Sequence, residues 1–252
     1  MTPLIAAAVE TALSLQFMGN SPLESITLYA FFATTIAMGA GAAFFTLMLF
    51  RGDLDTEQYT VVALSALICG IACVNYQQMT GVYQATGGGF PTGLRYIDWL
   101  LTTPLLLLTF PLLLGLGWDS IKVFLQLVLL DLAMILLGFV GEISPVGSQN
   151  WWLFFALSCG CGGMILLTLF FSLEEAIHDA PVELAKSLET LRLFILIGWA
   201  VYPLGFLLAL SGDATPRELI YNVADVINKV GFGLVVHAGV INSVGGSGWG
   251  RR

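Results

Sequence analysis

Five ionisable side chains stand inside stretches that are otherwise apolar: Arg95 and Asp98 in one, Asp131 in a second, Asp225 and Lys229 in a third. A charge at the centre of a bilayer costs roughly 2.5–3.5 kcal/mol on insertion scales, so such residues need partners or a task. Arg95 and Asp98 are three apart, Asp98 and Thr102 four apart, and Asp225 and Lys229 four apart, which on helices places each set on one face. Two helices thus offer one carboxylate each to a single buried amine. A desolvated lysine condenses with aldehydes to a Schiff base. Protonated, that imine is a cation for which Asp98, Asp225 and Arg95 form a balanced set, and a proton swinging toward Asp98 carries charge across part of a membrane. The plain alternative is mutual neutralisation as packing glue, and a protonated, structural role suits Asp131. Trp99, Trp199, Tyr202 and Phe206 are spaced to line a slot for a long flat ligand, although aromatic residues at helical spacing are more often ordinary core.

The elements that must hold these residues follow from composition. Of 252 residues, 57% are hydrophobic and 10% charged, where soluble domains carry about 25% charged residues. Such a chain cannot cover itself with polar surface, whereas a lipid-facing one satisfies its polar backbone within helices. The formal charge of −8 resides mostly in Asp53 to Glu57 and Glu174 to Glu189, read as solvated loops. Nucleic acid is excluded as a partner, because the nine Lys and Arg are not clustered beyond Arg251 and Arg252. Cys69, Cys73, Cys159 and Cys161 lie in apolar runs without zinc-type spacing. They read as buried free thiols, and no metal site is expected.

Apolar stretches near the ~20 residues a bilayer requires recur at 25–50, 58–80, 94–116, 120–142, 150–171, 188–211 and 217–243. Turn and charge signals separate them: Arg51-Gly52-Asp53, Gly87 to Gly89 before Pro91, Gly117-Trp118-Asp119, Ser144-Pro145, Asp179-Ala180-Pro181 and Ser211-Gly212-Asp213. The expected fold is an all-α, seven-transmembrane-helix bundle with antiparallel neighbours, one domain over 1–252. Arg51, Lys122, Lys186, Arg192, Arg251 and Arg252 follow odd-numbered spans, which predicts a cytoplasmic C-terminus and an external N-terminus. Only Arg217 falls in an outer connection. Residues 1–20 lack the basic start of a secretory signal and are read as a short surface helix.

Three runs resemble motifs of the microbial (type I) rhodopsins, in the proteorhodopsin and xanthorhodopsin branch. Arg95-Tyr96-Ile97-Asp98-Trp99-Leu100-Leu101-Thr102-Thr103-Pro104-Leu105-Leu106 is similar to their counterion motif. Ile220 to Gly233, containing Asp225 and Lys229, is similar to their retinal-lysine motif, and Gly198-Trp199-Ala200-Val201-Tyr202-Pro203 to the segment clasping the polyene. The resemblance implies all-trans retinal on Lys229 as a protonated Schiff base, with Asp98 as counterion and proton acceptor and Asp225 as second counterion. It implies Arg95 as outward gate, Thr102 hydrogen-bonded to Asp98, and Tyr76 and Tyr202 bracing Asp225. Trp99, Thr103, Leu106, Met134, Gly138, Trp199, Pro203 and Phe206 would line the pocket, with Asp131 near the ring end. Leu106 matches green-absorbing members.

Three positions depart from the family pattern. Thr109, eleven residues after Asp98, stands where many pumps have a carboxylate donor; a threonine hydroxyl holds no proton for donation near neutral pH. His237, two turns beyond Lys229, is a candidate relay, with an interfacial histidine the favoured reading. Asn75 replaces a histidine usual in this branch, so the titration of Asp98 is expected to depend mainly on Arg95, Asp225 and the Lys229 nitrogen. Phe155 replaces the glycine of carotenoid-binding members, and no carotenoid antenna is expected.

Both aspartates favour a light-driven outward proton pump, not an enzyme, in a prokaryotic plasma membrane. A sensory rhodopsin signalling through a transducer is the alternative, favoured by Thr109. A receptor or carrier without retinal leaves Lys229 four residues after Asp225 unexplained. The resemblance also implies a homo-oligomer, pentameric or trimeric.

Overall fold

The structure, a computed structural model, describes residues 21–51, 54–89, 91–115, 117–213 and 215–244. The expectations placed on residues 1–20, Asp53, Arg251 and Arg252 lie outside the described residues. Among the described residues, seven helices are long and apolar enough to cross a membrane. They are α1 (Pro22–Met48), α2 (Thr56–Thr86), α3 (Thr92–Leu114), α4 (Gly117–Glu142) and α5 (Gln149–Leu167, closed by the π-helical turn Thr168–Ser172). Then come α6 (Val182–Leu193, the π-helical turn Phe194–Gly198, Val201–Leu208) and α7 (Thr215–Val226, the π-helical turn Ile227–Gly231, Phe232–Val244).

Local chemistry sets the ends. Ser21 accepts from the Glu24 amide while the Glu24 carboxylate accepts from the Ser21 amide, a reciprocal cap that starts α1. Asp55 and Gln58 do the same for α2. Gly87 and Gly115, at φ 65° and 59°, stop α2 and α3 in the left-handed conformation that glycine adopts without strain. The α3–α4 break thus falls at Gly115, ahead of the expected Gly117. Two further boundaries differ. α2 runs past residue 80 until Gly87 ends it, and α6 begins at Val182, so the acidic stretch read as a loop is helical from Glu174 to His178 and again from Val182, with its glutamates still exposed.

Each helix packs mainly on its sequence neighbour, and α7 closes the ring against α1, α2 and α6. The distribution of side chains is the reverse of a water-soluble protein's. Ile36, Leu204 and Phe171 are exposed, while Arg95, Asp98, Asp131, Glu218 and Asp225 are fully buried. An apolar core of Phe45, Leu106, Leu107, Phe110 and Phe232 fills the half of the bundle where α1 ends. A second, with Phe31, Met38, Tyr76 and Met79, lies between α1 and α2. Of the buried ionisable groups, Arg95, Asp98, Glu218 and Asp225 lie among α2, α3 and α7 and Asp131 lies between α4 and α3, where side chains rather than water must satisfy them.

Candidate functional site

Lys229 sits in the π-helical turn of α7, a widened turn of the kind often found at functional positions. Its Nζ lies 2.6 Å from Asp98 Oδ2 and 2.9 Å from Asp225 Oδ2, and all three side chains are at most 2% exposed. Asp225 is held by three further donors: Tyr76 at 2.8 Å, Tyr202 at 2.5 Å and the Trp99 indole at 3.3 Å. Asp98 has fewer contacts, and its Oδ1 is buried without a hydrogen-bond partner among the described residues.

Asn228 joins this turn to α6. Its Nδ2 donates to the Gly198 carbonyl at 3.0 Å and reaches the Tyr202 hydroxyl at 3.2 Å. A Cβ at position 198 would collide with the Asn228 amide. The π-helical turns of α6 and α7 therefore interlock.

Toward the end where α1 begins, Arg95 donates to the Tyr76 hydroxyl at 2.9 Å and to Asn222 Oδ1 at 2.8 Å, and it is ion-paired with Glu218. Arg217 is ion-paired with Glu142, joining α7 to α4. This corrects the reading of Arg217 as a residue of an outer connection: it is buried in the first turn of α7.

Beside Lys229 a cavity of about 390 Å³ extends between α3, α4, α5 and α6, within the ~300–1,000 Å³ of small-molecule pockets. Trp99, Thr103, Met134, Gly138, Trp199, Tyr202, Pro203 and Phe206 all line it, as does Phe155. Trp99 and Tyr202 belong both to the cavity wall and to the Asp225 hydrogen-bond set, so the slot abuts the charged centre. Thr103 donates to Asp131 at 2.7 Å, which places Asp131 behind the wall rather than in it. Leu106 is in the apolar core, and Tyr76 faces Asp225 and Arg95.

Other expectations are placed differently. The Thr102 hydroxyl donates to the Asp98 backbone carbonyl at 2.8 Å, one turn back on its own helix, and not to the carboxylate. Asn75 donates to the Ile71 carbonyl at 3.2 Å. His237 is half-buried with its ring edge-on to Phe44 at 5.3 Å, the geometry of a bundle-edge histidine. Thr109 is buried and bonds to the Leu105 carbonyl. Of the four free cysteines, Cys69 is buried, but Cys159 is exposed and lines the cavity.

Sequence reasoning missed Glu218, Asn222 and Asn228. Glu218 lies seven residues, two helical turns, before Asp225 on the same face, a signal that was available. Its closeness to the start of α7 disguised it as a loop acid.

A sequence profile of the bacteriorhodopsin-like proteins matches residues 26–243. The chain belongs to the bacteriorhodopsin-like family. This microbial rhodopsin is 33% identical over 224 residues to the green-light absorbing proteorhodopsin of Gamma-proteobacterium EBAC31A08, covering 86% of this chain and 88% of that one. It is similar in structure to Exiguobacterium sibiricum rhodopsin, with TM-score 0.82 and 36% identity over 88% of this chain and 98% of that one. It also resembles xanthorhodopsin, described as a light-driven ion pump with dual chromophore, with TM-score 0.82 and 27% identity over 91% and 98% of the two chains. The rhodopsin is accordingly a multi-pass integral protein of a prokaryotic cell membrane, in a family whose members carry retinal and whose relatives are light-driven ion pumps rather than enzymes. The site suits that chromophore: a buried amine, an unpartnered acceptor on Asp98, and an aromatic-walled apolar slot beside them.

Proposed function

We propose that this rhodopsin carries all-trans retinal covalently on Nζ of Lys229 and moves protons outward under light. The observation that carries the reading is the Lys229 amine set between Asp98 and Asp225 at 2.6 and 2.9 Å in a site closed to water. Trp99, Thr103, Met134, Trp199, Tyr202 and Phe206 would hold the polyene, and retinal when bound supplies the absorption of visible light and an isomerisation that redirects the Lys229 nitrogen.

The residues divide the work by their partners. Asp98, with one oxygen unpartnered, receives the proton from the Lys229 nitrogen. Asp225, fixed by Tyr76, Tyr202 and Trp99, serves as a stationary countercharge. Arg95 spans from the Tyr76 hydroxyl to Glu218 and carries the electrostatic consequence of a charge change at Asp98 toward the outer end. The two aspartates and the distribution of Lys and Arg support outward transport with the N-terminus outside. Phe155, stacked on Phe206 at 4.9 Å, fills the space a carotenoid ring would need, so the protein works without an antenna. Assembly into a pentamer or trimer is part of the same reading, by likeness to the family.

One observation favours a second reading, a sensory rhodopsin acting through a transducer. Thr109 is buried, bonds to its own helix and offers no proton toward Lys229. Cells making the chain with retinal separate the two. Acidification of the medium on illumination, abolished by a protonophore, is the expected result; a visible photocycle without a pH change contradicts the pump and leaves the sensor.

A further inference from the structure

Pro203 has no amide hydrogen, so the Trp199 carbonyl one turn before it loses its usual donor. The Tyr202 amide takes that place, donating to the Trp199 carbonyl at 3.1 Å. The Gly198 carbonyl, which the Tyr202 amide would serve in a regular helix, receives Asn228 Nδ2 at 3.0 Å instead. A backbone irregularity in α6 thus calls for a side-chain donor from α7, and the residue that answers is next in sequence to Lys229.

The same Nδ2 lies 3.2 Å from the Tyr202 hydroxyl. An amide N–H only donates, so the hydroxyl accepts there and directs its own hydrogen to Asp225 Oδ1 at 2.5 Å. A hydroxyl that accepts one hydrogen bond donates the next more strongly. Asn228, Tyr202 and Asp225 therefore form one polarised chain ending on the carboxylate beside Lys229. Packing explains Asn228 poorly. Its Oδ1 is buried without a hydrogen-bond partner among the described residues, which costs stability. The contact between α6 and α7 also has a separate fastening: the Tyr221 hydroxyl donates to the Tyr202 carbonyl at 2.8 Å, and a Cβ on Gly205 would collide with the Tyr221 ring.

We propose that Asn228 is a positioning residue that acts through Tyr202 to set how much negative charge Asp225 turns toward the Lys229 nitrogen, an inference that rests on Lys229 being the retinal-bearing residue. Asp225 is faced by Lys229 from its own helix, by Asp98, Arg95 and Trp99 from α3, by Tyr76 from α2 and by Tyr202 from α6. Its two oxygens are served by different tyrosines. Tyr76, which accepts from Arg95, donates to Oδ2, the oxygen 2.9 Å from Lys229; Tyr202, which accepts from Asn228, donates to Oδ1. Asn228 thereby draws carboxylate charge to Oδ1, away from the oxygen that meets Lys229. Without it, charge returns to Oδ2. A stronger negative charge at the nitrogen of a protonated imine holds the positive charge there and raises the energy needed to displace it along the polyene, so the band moves to shorter wavelength.

The test reads the position of the visible band in Asn228→Ala and Asn228→Leu, each made with retinal. Both variants absorb at shorter wavelength than the unaltered chain. In a Tyr202→Phe background, which has no hydroxyl to polarise, Asn228→Ala moves the band no further, and this double-mutant cycle separates an effect through Tyr202 from a general loosening of the bundle. A residue of structural importance alone lowers the temperature of thermal bleaching and leaves the band in place, or shifts it equally with and without the Tyr202 hydroxyl. Either result, or a band moved to longer wavelength, overturns the proposal while leaving retinal on Lys229 intact. If neither variant holds pigment, the retinal-free chain decides: the tyrosine C–O infrared band that disappears in Tyr202→Phe is displaced in Asn228→Ala, and an undisplaced band overturns the proposal. An unaltered chain that never colours contradicts the reading of Lys229 itself.

Discussion

Arg95 is ion-paired with Glu218 in the interior of the bundle, both side chains fully excluded from solvent. The guanidinium is thereby anchored to α7 two turns from Asp225, with Asn222 between. Removing one member of a buried pair leaves a charge without compensation, which destabilises by about 3–5 kcal/mol. Glu218→Gln keeps the amide's hydrogen-bonding capacity but loses the charge, so a loss near the lower figure is expected. Thermal bleaching of the pigment should come at a distinctly lower temperature; an unchanged bleaching temperature would show that the pair contributes nothing.

Gly198 and Asn228 form a contact that tolerates no added methyl group. Gly198→Ala should destabilise by about 1–3 kcal/mol through overpacking, and combining it with Asn228→Ala should recover part of that loss, because the colliding amide is gone. A double-mutant cycle on thermal stability measures the coupling. Strict additivity of the two changes would deny that the π-helical turns interlock here.

Much of this architecture was legible in the sequence, and the illegible parts share a cause. Spacing alone put Arg95, Asp98 and Thr102 on one face and Asp225 with Lys229 on another, and hydropathy located every span within a few residues except where polar turns continue a helix, as at Val182. What spacing does not encode is the direction a short side chain takes. Thr102 faces Asp98 but satisfies itself on the Asp98 carbonyl, as Thr109 does on Leu105. Nor does it encode partners across the bundle, so Arg95 was assigned to the two aspartates while Glu218 went unnoticed. The interlock of Asn228 with Gly198 needs two widened turns at one level, and no residue pattern announces a π-helical turn.

Thr109 gives a kinetic prediction. With a buried threonine at the position where a donor would serve Lys229, reprotonation is expected to be slow, and azide, a small diffusible acid, should accelerate decay of the deprotonated photointermediate. Thr109→Glu should do so without azide, by about a hundredfold if it acts as a general acid. Flash spectroscopy reads both. Insensitivity to azide would mean that another group already supplies the proton.

Asn75 bonds to its own helix at Ile71. Asn75→Ala is therefore expected to leave the pH titration of the visible absorption where it stands, whereas Tyr202→Phe, which removes a 2.5 Å hydrogen bond to Asp225, should move it. A displaced titration in the Asn75 variant would assign that side chain a part in the counterion set.

The whole account turns on one amine. Lys229→Ala, expressed with retinal, purified and scanned across the visible range, should show no pigment band while the unaltered chain is coloured. A Lys229→Ala protein of full colour would contradict it.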